Sequence, residues 1–277
     1  MSEFILKARD LNKFYTQRSG RFGFGTKIVK ALDNVNLDLR HAQTLAVVGE
    51  SGSGKSTLAR CLLQLQPLDG GSVFFQGRDL ADLPAVELRK QRRHLQMIFQ
   101  DPFASLNPRM NVGEIVSEGL LIHGLGDRDE RYQKTKHMLE RVGLRESDMK
   151  KYPHEFSGGQ RQRIGIARAL VLSPKVVVCD EPVSALDVSI QAQILLLLKE
   201  LQKEMSLSYI FITHDLRVVR HIADEVAVMY QGKIIENGNI ADIYQSPKEE
   251  YTRNLLSAIP GQKQRIASFK SRVILES

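Results

Sequence analysis

The chain carries, at residues 49–57, the segment Gly49-Glu50-Ser51-Gly52-Ser53-Gly54-Lys55-Ser56-Thr57. Its spacing fits the pattern G-x-x-x-x-G-K-[ST], in which glycines let consecutive backbone N–H groups curl around an anion. The apolar run 45–48 before it predicts a short buried strand, and a helix is predicted over 55–64. A strand, a glycine-rich turn and a helix in this order predict a phosphate loop, residues 49–57, at the positive end of the helix dipole.

Side chains of the phosphate loop can add contacts to those of its backbone. Lys55 can neutralise the β- and γ-phosphates of a nucleotide, and the Ser56 hydroxyl can ligate Mg²⁺. The predicted nucleotide-binding residues of the loop are Gly49, Ser51, Gly52, Ser53, Gly54, Lys55, Ser56 and Thr57. The loop therefore predicts a nucleotide bound together with Mg²⁺.

The composition excludes several classes of protein. Of the 277 residues, 42% are apolar and 26% are charged, which rules out wholesale disorder. The two cysteines, Cys61 and Cys179, lie far apart, so neither a disulfide framework nor a cysteine-based zinc site is expected. No apolar run reaches the roughly 18 residues of a membrane helix, and the first residues lack the pattern of a signal peptide. We therefore expect a soluble, cytosolic chain.

The formal net charge of +7 leaves several interpretations open. Excess base is compatible with nucleic acid, a membrane surface, small phosphorylated ligands or ordinary solubility. No RNA-binding motif, zinc finger or basic heptad region accompanies the charge, so the charge alone does not choose among these interpretations.

Strands and helices alternate along the sequence, which predicts an α/β protein with a mostly parallel sheet. Strands are predicted over 4–9, 45–48, 73–75, 95–99, 175–179 and 209–212, with a hairpin over 226–230 and 233–235. Helices are predicted over 55–64, 131–142, 161–172, 188–204 and 239–259. Residues 16–30 are basic and bear glycines, so a loop or hairpin insertion is expected there. Helical periodicity dominates residues 103–172, which predicts an inserted helical subdomain.

Two acids end the apolar run Val176-Val-Val-Cys-Asp180-Glu181. In open α/β sheets, ligands bind at the carboxyl ends of the strands, where Asp180 is expected to lie. Asp180 can hold Mg²⁺ through its water shell, and Glu181 can orient and deprotonate an attacking water molecule. The pair predicts a nucleotide-hydrolysing site, whereas a solvated strand end is the alternative.

Between the two motifs lies Phe156-Ser157-Gly158-Gly159-Gln160-Arg161-Gln162-Arg163, which resembles the signature motif of ATP-binding cassette (ABC) ATPases. Ser157 and the glycine amides would form a second anion-binding helix end. A second phosphate clamp on the same chain, within a helical subdomain, suggests that it contacts the nucleotide of a neighbouring chain. A simple helix N-cap is the alternative.

The resemblance implies roles for further residues. Tyr15 matches the aromatic residue that stacks on adenine, with Phe14 as the alternative, and Gln100 matches the glutamine that senses Mg²⁺ and the membrane partner. Asp187, in Ser184-Ala-Leu-Asp187, matches the loop that couples the two sites of a dimer, and His214 matches the histidine that senses the γ-phosphate. The implied catalytic residues are Glu181, His214 and Gln100; the implied nucleotide contacts outside the phosphate loop are Tyr15, Ser157, Gly158, Gly159, Gln160 and Asp187; the implied Mg²⁺ ligands are Ser56, Gln100 and Asp180.

For the fold, the resemblance implies an α/β P-loop NTPase core with an N-terminal antiparallel β subdomain and an inserted helical subdomain. The expected division is an ABC ATPase domain over 1–260, with the helical subdomain at about 103–172, and a basic, loose tail over 261–277. In this family two such units sandwich two ATP molecules head to tail. ATP and Mg²⁺ are therefore the expected cofactors, and a second ABC ATPase is an expected partner, with a heterodimer favoured over a homodimer.

Three features resemble the branch of oligopeptide and dipeptide importers, in particular their second ATPase and the C-terminal cassette of Yej-type importers. They are the 16–30 insertion, the segment Asn107-Pro108-Arg109 after Gln100, and the segment 246–260 around Tyr251-Thr252-Arg253. The resemblance implies an ATPase that drives peptide uptake through separate permease subunits, with a substrate-binding protein as an indirect partner and no nucleic acid. The implied location is the cytoplasmic face of the inner membrane.

Other functions of the family stay open as alternatives. Some relatives of this branch move nickel or glutathione. Exporter ATPases lack the features at Asn107-Pro108-Arg109 and 251–260, which weighs against an exporter. ABC ATPases that act on DNA insert a long coiled coil between Gln100 and the signature motif, where this chain has too few residues. Those that act on ribosomes carry two cassettes, and this chain has one.

Overall fold

The protein is described here by a computed structural model of residues 3–19 and 25–259, without the side chains of 17–19 and 25–27. In chain order, the strands are β1 (Phe4–Ser19), β2 (Gly25–Arg40), β3 (Thr44–Val48), β4 (Gly70–Phe75), β5 (Arg78–Asp79), β6 (Leu95–Ile98), β7 (Val176–Asp180), β8 (Ser208–Thr213), β9 (Glu225–Tyr230) and β10 (Lys233–Asn239). The α-helices are α1 (Lys55–Leu62), α2 (Ala85–Arg92), α3 (Val112–Ile122), α4 (Arg128–Arg141), α5 (Gly158–Leu170), α6 (Val188–Met205), α7 (Leu216–Ile222), α8 (Ile240–Gln245) and α9 (Glu250–Ser257).

The central sheet has the strand order β10-β9-β3-β8-β7-β6. All neighbours in it are parallel except β9 and β10, which form the predicted hairpin. Strands β3, β7 and β8 are buried at every position, as expected for strands with apolar layers on both faces. The prediction of a mostly parallel α/β sheet is confirmed.

The register of the parallel strands places several chain segments at one edge of the sheet. Val48 at the end of β3 pairs with Thr213 of β8, and Asp180 at the end of β7 pairs with Ile212. The residues that follow these three strands therefore emerge side by side, at the edge where ligands bind in such sheets.

A second, antiparallel sheet has the order β2-β1-β4-β5 and matches the expected N-terminal β subdomain. The sequence analysis missed β2, whose inward positions Leu32, Val35, Leu37 and Leu39 are buried against the core. Register shifts interrupt the β1–β2 pairing, so the strict two-residue alternation that predicts a strand is broken. The described parts of the 16–30 segment continue β1 and β2 as paired arms, and residues 20–24 lie outside the described residues.

The segment 103–172 is helical, as predicted, with α3, α4 and α5 and two short 3₁₀ turns, Glu146–Lys150 and Pro153–Glu155. Helices α4 and α5 begin three residues before their predicted starts. Asp127 and Ser157 cap them, each accepting a hydrogen bond from the third residue of its helix. A capping side chain of this kind fixes where a helix begins more sharply than apolar periodicity does.

Two further differences between the predicted and the observed helices have clear physical reasons. Helix α2 was not predicted because none of its residues is buried, so it has no apolar periodicity to detect. The single helix predicted over 239–259 is two helices, because Pro247 and the extended residues around it interrupt the helical hydrogen bonds.

The predicted boundary at 260 and the tail 261–277 lie outside the described residues. Within the described part of the chain, no helix is both long enough and apolar enough to cross a membrane.

Candidate nucleotide-binding site

The phosphate loop connects β3 to α1, and its backbone requires glycine at two positions. Gly49 and Gly54 have φ angles of 155° and 110°. A Cβ atom on Gly49 would lie 2.1 Å from the carbonyl oxygen of Met229, and one on Gly54 would lie 2.2 Å from that of Ala31. Since both obstacles are backbone atoms of packed strands, no larger residue fits at either position.

The ammonium group of Lys55 lies inside the loop. Its Nζ donates hydrogen bonds to the carbonyl oxygens of Gly49 at 2.9 Å and Glu50 at 2.8 Å, and the side chain is buried. Burial lowers the pKa of the Lys55 ammonium, while the nearby carboxylates of Glu181, Asp180 and Glu50 oppose that shift. A buried cation whose hydrogen-bond acceptors are all uncharged oxygens is a strong attractor for the charged oxygens of a phosphate.

Ser56 and Asp180 meet at the edge of the sheet. The Ser56 hydroxyl donates a hydrogen bond of 3.0 Å to Oδ1 of Asp180. Burial raises the pKa of the Asp180 carboxyl, against the hydrogen bond from Ser56 and the positive charge of Arg60, which lower it. A nearby cation would stabilise the charged form of this buried carboxylate.

These two oxygen donors fit Mg²⁺. Mg²⁺ prefers oxygen ligands and commonly takes only one or two from the protein, with phosphate and water completing its shell. The described residues contain no group of three or more His, Cys, Asp or Glu residues that could hold a metal ion. Ser56 and Asp180 are therefore candidate ligands of a cation that arrives with a nucleotide.

Glu181, Gln100 and His214 lie together beside this pair. Oε2 of Glu181 accepts a hydrogen bond of 3.2 Å from Nε2 of Gln100 and lies 3.1 Å from Nδ1 of His214. Glu181 has a positive φ of 46°, and its backbone N–H donates to the carbonyl oxygen of Ile212 at 3.0 Å. Ser184 then donates from its hydroxyl to the Glu181 carbonyl oxygen at 3.1 Å. The backbone of Glu181 is thus fixed, and its carboxylate is directed between the other two side chains.

An open cavity of about 1090 Å³ lies over the phosphate loop. Predicted residues from five separate segments line it: the phosphate loop itself, Tyr15, Gln100, Glu181 and His214. Ser53 does not line the cavity, because it is buried with its hydroxyl 3.4 Å from Nζ of Lys55. The sequence analysis missed the other residues of the wall, which are Ile28, Val29, Lys30, Ala31, Glu50, Gln231 and Leu255. Glu50 occupies a variable position of the phosphate-loop motif, and only the fold brings the others to the cavity.

Tyr15, the predicted adenine contact, is half-exposed at this cavity, and a charged pair holds its strand. Asp69 accepts hydrogen bonds from Nζ of Lys13 at 3.0 Å and from the backbone N–H of Phe14 at 2.6 Å. The Lys13 ammonium in turn lies 5.8 Å from the centroid of the Tyr15 ring. The hydrogen bond from Phe14 and the one from Lys13 lower the pKa of Asp69. Its carboxylate is therefore charged at neutral pH and holds both the Phe14 backbone and the Lys13 side chain.

Replacing Asp69 by Asn is expected to raise the KM for ATP about two- to fivefold, because the neutral side chain holds Lys13 and Phe14 less firmly. The turnover number should stay the same, since Glu181 is untouched. Because the pKa of Asp69 lies below its ordinary value of 3.8, this anchor is complete above that pH and is lost as the pH falls through the lower value. The measurement is a comparison of KM with that of Asp82→Asn, a change on an exposed neighbouring loop; equal KM values would contradict the role of Asp69.

The predicted second clamp is not part of this cavity. Ser157 caps α5 by accepting from the Gln160 N–H, and the Gln160 side chain accepts from the Ser157 N–H, so the two form a reciprocal capping box. Gly159 lies so close to Ile190 that a Cβ atom there would approach it to 2.6 Å. Ser157 and Asp187 are exposed, and Asp187 forms the N-cap of α6. The structure therefore keeps Ser157, Gly158, Gly159, Gln160 and Asp187 apart from the phosphate loop of their own chain.

A mostly parallel sheet with a phosphate loop at a cavity, a buried lysine in that loop and a serine bonded to a strand-end aspartate defines a P-loop nucleotide-binding protein. Comparison with known proteins narrows this class. The model of the family described as ABC transporter matches residues 32–184. The oligopeptide transport ATP-binding protein AppF of Bacillus subtilis is 49% identical over 275 residues, which cover 99% of this chain and 84% of AppF. The dipeptide transport ATP-binding protein DppF of Escherichia coli is 51% identical over 258 residues, 92% of this chain and 76% of DppF.

Solved structures give the same result. The dimeric post-hydrolysis structure of the ATP-binding cassette MJ0796 with ADP and Pi has a TM-score of 0.74 at 30% identity, and the match covers 85% of this chain and 98% of that one. The chain therefore belongs to the ABC transporter family, in which it is an ATPase.

Proposed function

We propose that this chain hydrolyses ATP to drive the import of peptides through separate membrane subunits. The observation that carries the proposal is the grouping of Lys55, Ser56 and Glu181 at one cavity over the phosphate loop, with the buried Asp180 bonded to Ser56. The names of AppF and DppF, which cover most of this chain, support peptides as the transported substrate.

The arrangement assigns the chemical roles as follows. The amides of the phosphate loop and the Lys55 ammonium bind the phosphates of ATP, with Tyr15 against the adenine. Bound Mg²⁺, held by Ser56 and Asp180 and sensed by Gln100, would neutralise charge on the phosphates. Glu181 orients a water molecule and accepts its proton, a role worth about 10²–10⁴-fold in rate. His214, 3.1 Å from Glu181, is in position to keep the carboxylate directed at that water.

Closure of a dimer would complete the site. Ser157–Gln160 and Asp187 lie on the surface, away from the chain's own cavity, and the positive end of α5 is directed outward. In the proposed dimer this helix end of one chain closes over the γ-phosphate of the other, so ATP favours the closed state because it contacts both chains only there. The known dimeric state of MJ0796 supports this arrangement.

Transport requires permease subunits and a partner ATPase. The segment that follows Gln100 and the helices of 103–172 would pass the motion to permease subunits, and the chain would then lie at the cytoplasmic face of the membrane. The partner ATPase is a second copy or a related chain. Importers of nickel or glutathione, exporters, and ABC ATPases acting on DNA or ribosomes are the alternatives that the experiment must separate.

The replacement Ser157→Arg tests the helix end at Ser157 separately from the phosphate loop. We expect hydrolysis to fall about 10²-fold, because the arginine blocks the approach of α5 to a partner's phosphate. The affinity of the separate chain for ATP should not change, since Ser157 does not line its cavity. The measurement is hydrolysis together with equilibrium binding of ATP at low protein concentration. Equal loss of binding and hydrolysis would mean that Ser157 acts within its own chain.

The transported substrate is tested in cells that lack the chromosomal copy of this chain. Restoring the chain should restore uptake of labelled di- and oligopeptides, and Lys55→Ala should not. Uptake of nickel or glutathione but not of peptides would overturn the substrate class while leaving the ATPase assignment intact. Absence of any ATP hydrolysis, even with partner subunits supplied, would overturn the whole proposal.

A further inference from the structure

The C-terminal helix α9 reaches the phosphate loop. The hydroxyl oxygen of Tyr251 accepts a hydrogen bond of 3.0 Å from the backbone N–H of Glu50, although the two residues are 201 positions apart. The Tyr251 ring packs against Tyr230 at the end of β9, with 4.3 Å between ring centroids.

The peptide group that Tyr251 contacts is also the one that holds Lys55. The carbonyl oxygen of Gly49 accepts a hydrogen bond from Nζ of Lys55, and the N–H of the same peptide group, on Glu50, donates to Tyr251. Peptide bonds in the described residues are trans, so this carbonyl and this N–H point in opposite directions. The Gly49–Glu50 peptide group therefore lies between the Lys55 ammonium and the Tyr251 hydroxyl, bonded to both.

Helix α9 is itself anchored, so the hydroxyl of Tyr251 has a defined position. The nearly buried carboxylate of Glu236 accepts hydrogen bonds from the N–H groups of Lys248 at 2.7 Å and Glu249 at 3.1 Å, at the start of α9. Leu256 is buried against the sheet, and Leu255 lines the cavity over the phosphate loop. The helix is thus held by the two residues that precede its first turn, packed through Leu256 and in contact with the site through Leu255.

We propose that Tyr251 is a positioning residue for nucleotide binding, which acts by fixing the Gly49–Glu50 peptide group. When this peptide group turns, the carbonyl oxygen that orients the Lys55 ammonium turns with it. Among the described residues, no hydrogen bond or ion pair joins Tyr251 to Asp180, Glu181 or His214, so it sets the affinity for phosphates and not the rate of the hydrolytic step. The inference rests on the proposed function of the site as an ATP site.

The test is Tyr251→Phe, which removes the hydroxyl and keeps the ring that packs on Tyr230. The Kd for Mg-ATP, measured by equilibrium dialysis, should rise about three- to tenfold, the range of a single neutral hydrogen bond. The turnover number at saturating ATP should stay within about twofold. The matched control is Tyr132→Phe, which removes a hydroxyl bonded to Glu146 at 2.6 Å in the segment 103–172, and which should leave Kd unchanged.

A second measurement keeps the test independent of small changes in stability. Hydrogen exchange of the Glu50 amide should be slow in the wild type and markedly faster in Tyr251→Phe, with exchange in α4 unaffected. An unchanged Kd in Tyr251→Phe, or a fall in turnover number at constant Kd, would overturn the inference alone. Failure of the wild type to bind ATP would instead overturn the proposed function, so the two failures are distinguishable.

Discussion

Replacing Glu181 by Gln is expected to lower the rate of ATP hydrolysis by about two to four orders of magnitude. The amide has the shape of the carboxylate but does not accept the proton of the attacking water. Binding of ATP should be retained, because Lys55, Ser56 and the loop amides are unchanged. The variant should therefore accumulate as an ATP-bound dimer with whichever partner ATPase it uses, which size-exclusion chromatography with and without ATP will detect.

The control for this experiment is Glu200→Gln, the same change at an exposed position of α6. It should hydrolyse ATP at the wild-type rate. A Glu181→Gln variant that hydrolyses ATP within tenfold of the wild type would show that another group accepts the proton. His214 would then be the next candidate, because its ring nitrogen lies beside the same carboxylate oxygen.

The change Lys55→Ala is expected to weaken ATP binding by about two orders of magnitude. Hydrogen bonds to charged groups contribute about 1.5–3 kcal/mol each, and Lys55 would supply more than one to the phosphates. The loss should be larger for ATP than for ADP, and adenosine should bind equally to both proteins, since only the phosphates meet this side chain. Isothermal titration with the three ligands measures the difference directly.

Folding of the Lys55→Ala variant needs its own check, because the carbonyl oxygens of Gly49 and Glu50 lose their donor. Circular dichroism and a thermal melt without nucleotide answer this point. Lys199→Ala, at an exposed position of α6, is the matched control and should bind all three ligands normally. If Lys55→Ala is folded and binds ATP as tightly as the wild type does, the phosphates do not occupy the phosphate loop.

Much of the central site was predictable because its parts are local in sequence. The phosphate loop is one continuous segment with its strand and helix on either side. The proximity of Ser56 and Asp180 follows from a general rule, that parallel strands end at the same edge of a sheet. Two segments far apart in the chain thus meet as predicted, with a hydrogen bond of 3.0 Å between them.

Other parts of the site carried no local signal. Leu255 and Tyr251 reach the cavity and the loop only because α9 packs back across the sheet, and a helical pattern alone does not tell which element its residues will contact. The anchor of Tyr15 by Asp69 is also invisible in the sequence, because it joins the first strand to the turn before β4. Contacts of this kind depend on tertiary packing, which no residue spacing encodes.

The place of β3 in the middle of the central sheet has a consequence for synthesis of the chain. Its neighbours β8 and β9 are made more than 150 residues later, which takes on the order of ten seconds at a ribosomal rate of about 5–20 residues per second. Throughout that interval the five residues of β3, all buried in the finished protein, have no partner strand. ATP can therefore begin to favour folding of the phosphate loop on its sheet only after β8 and β9 have been synthesised.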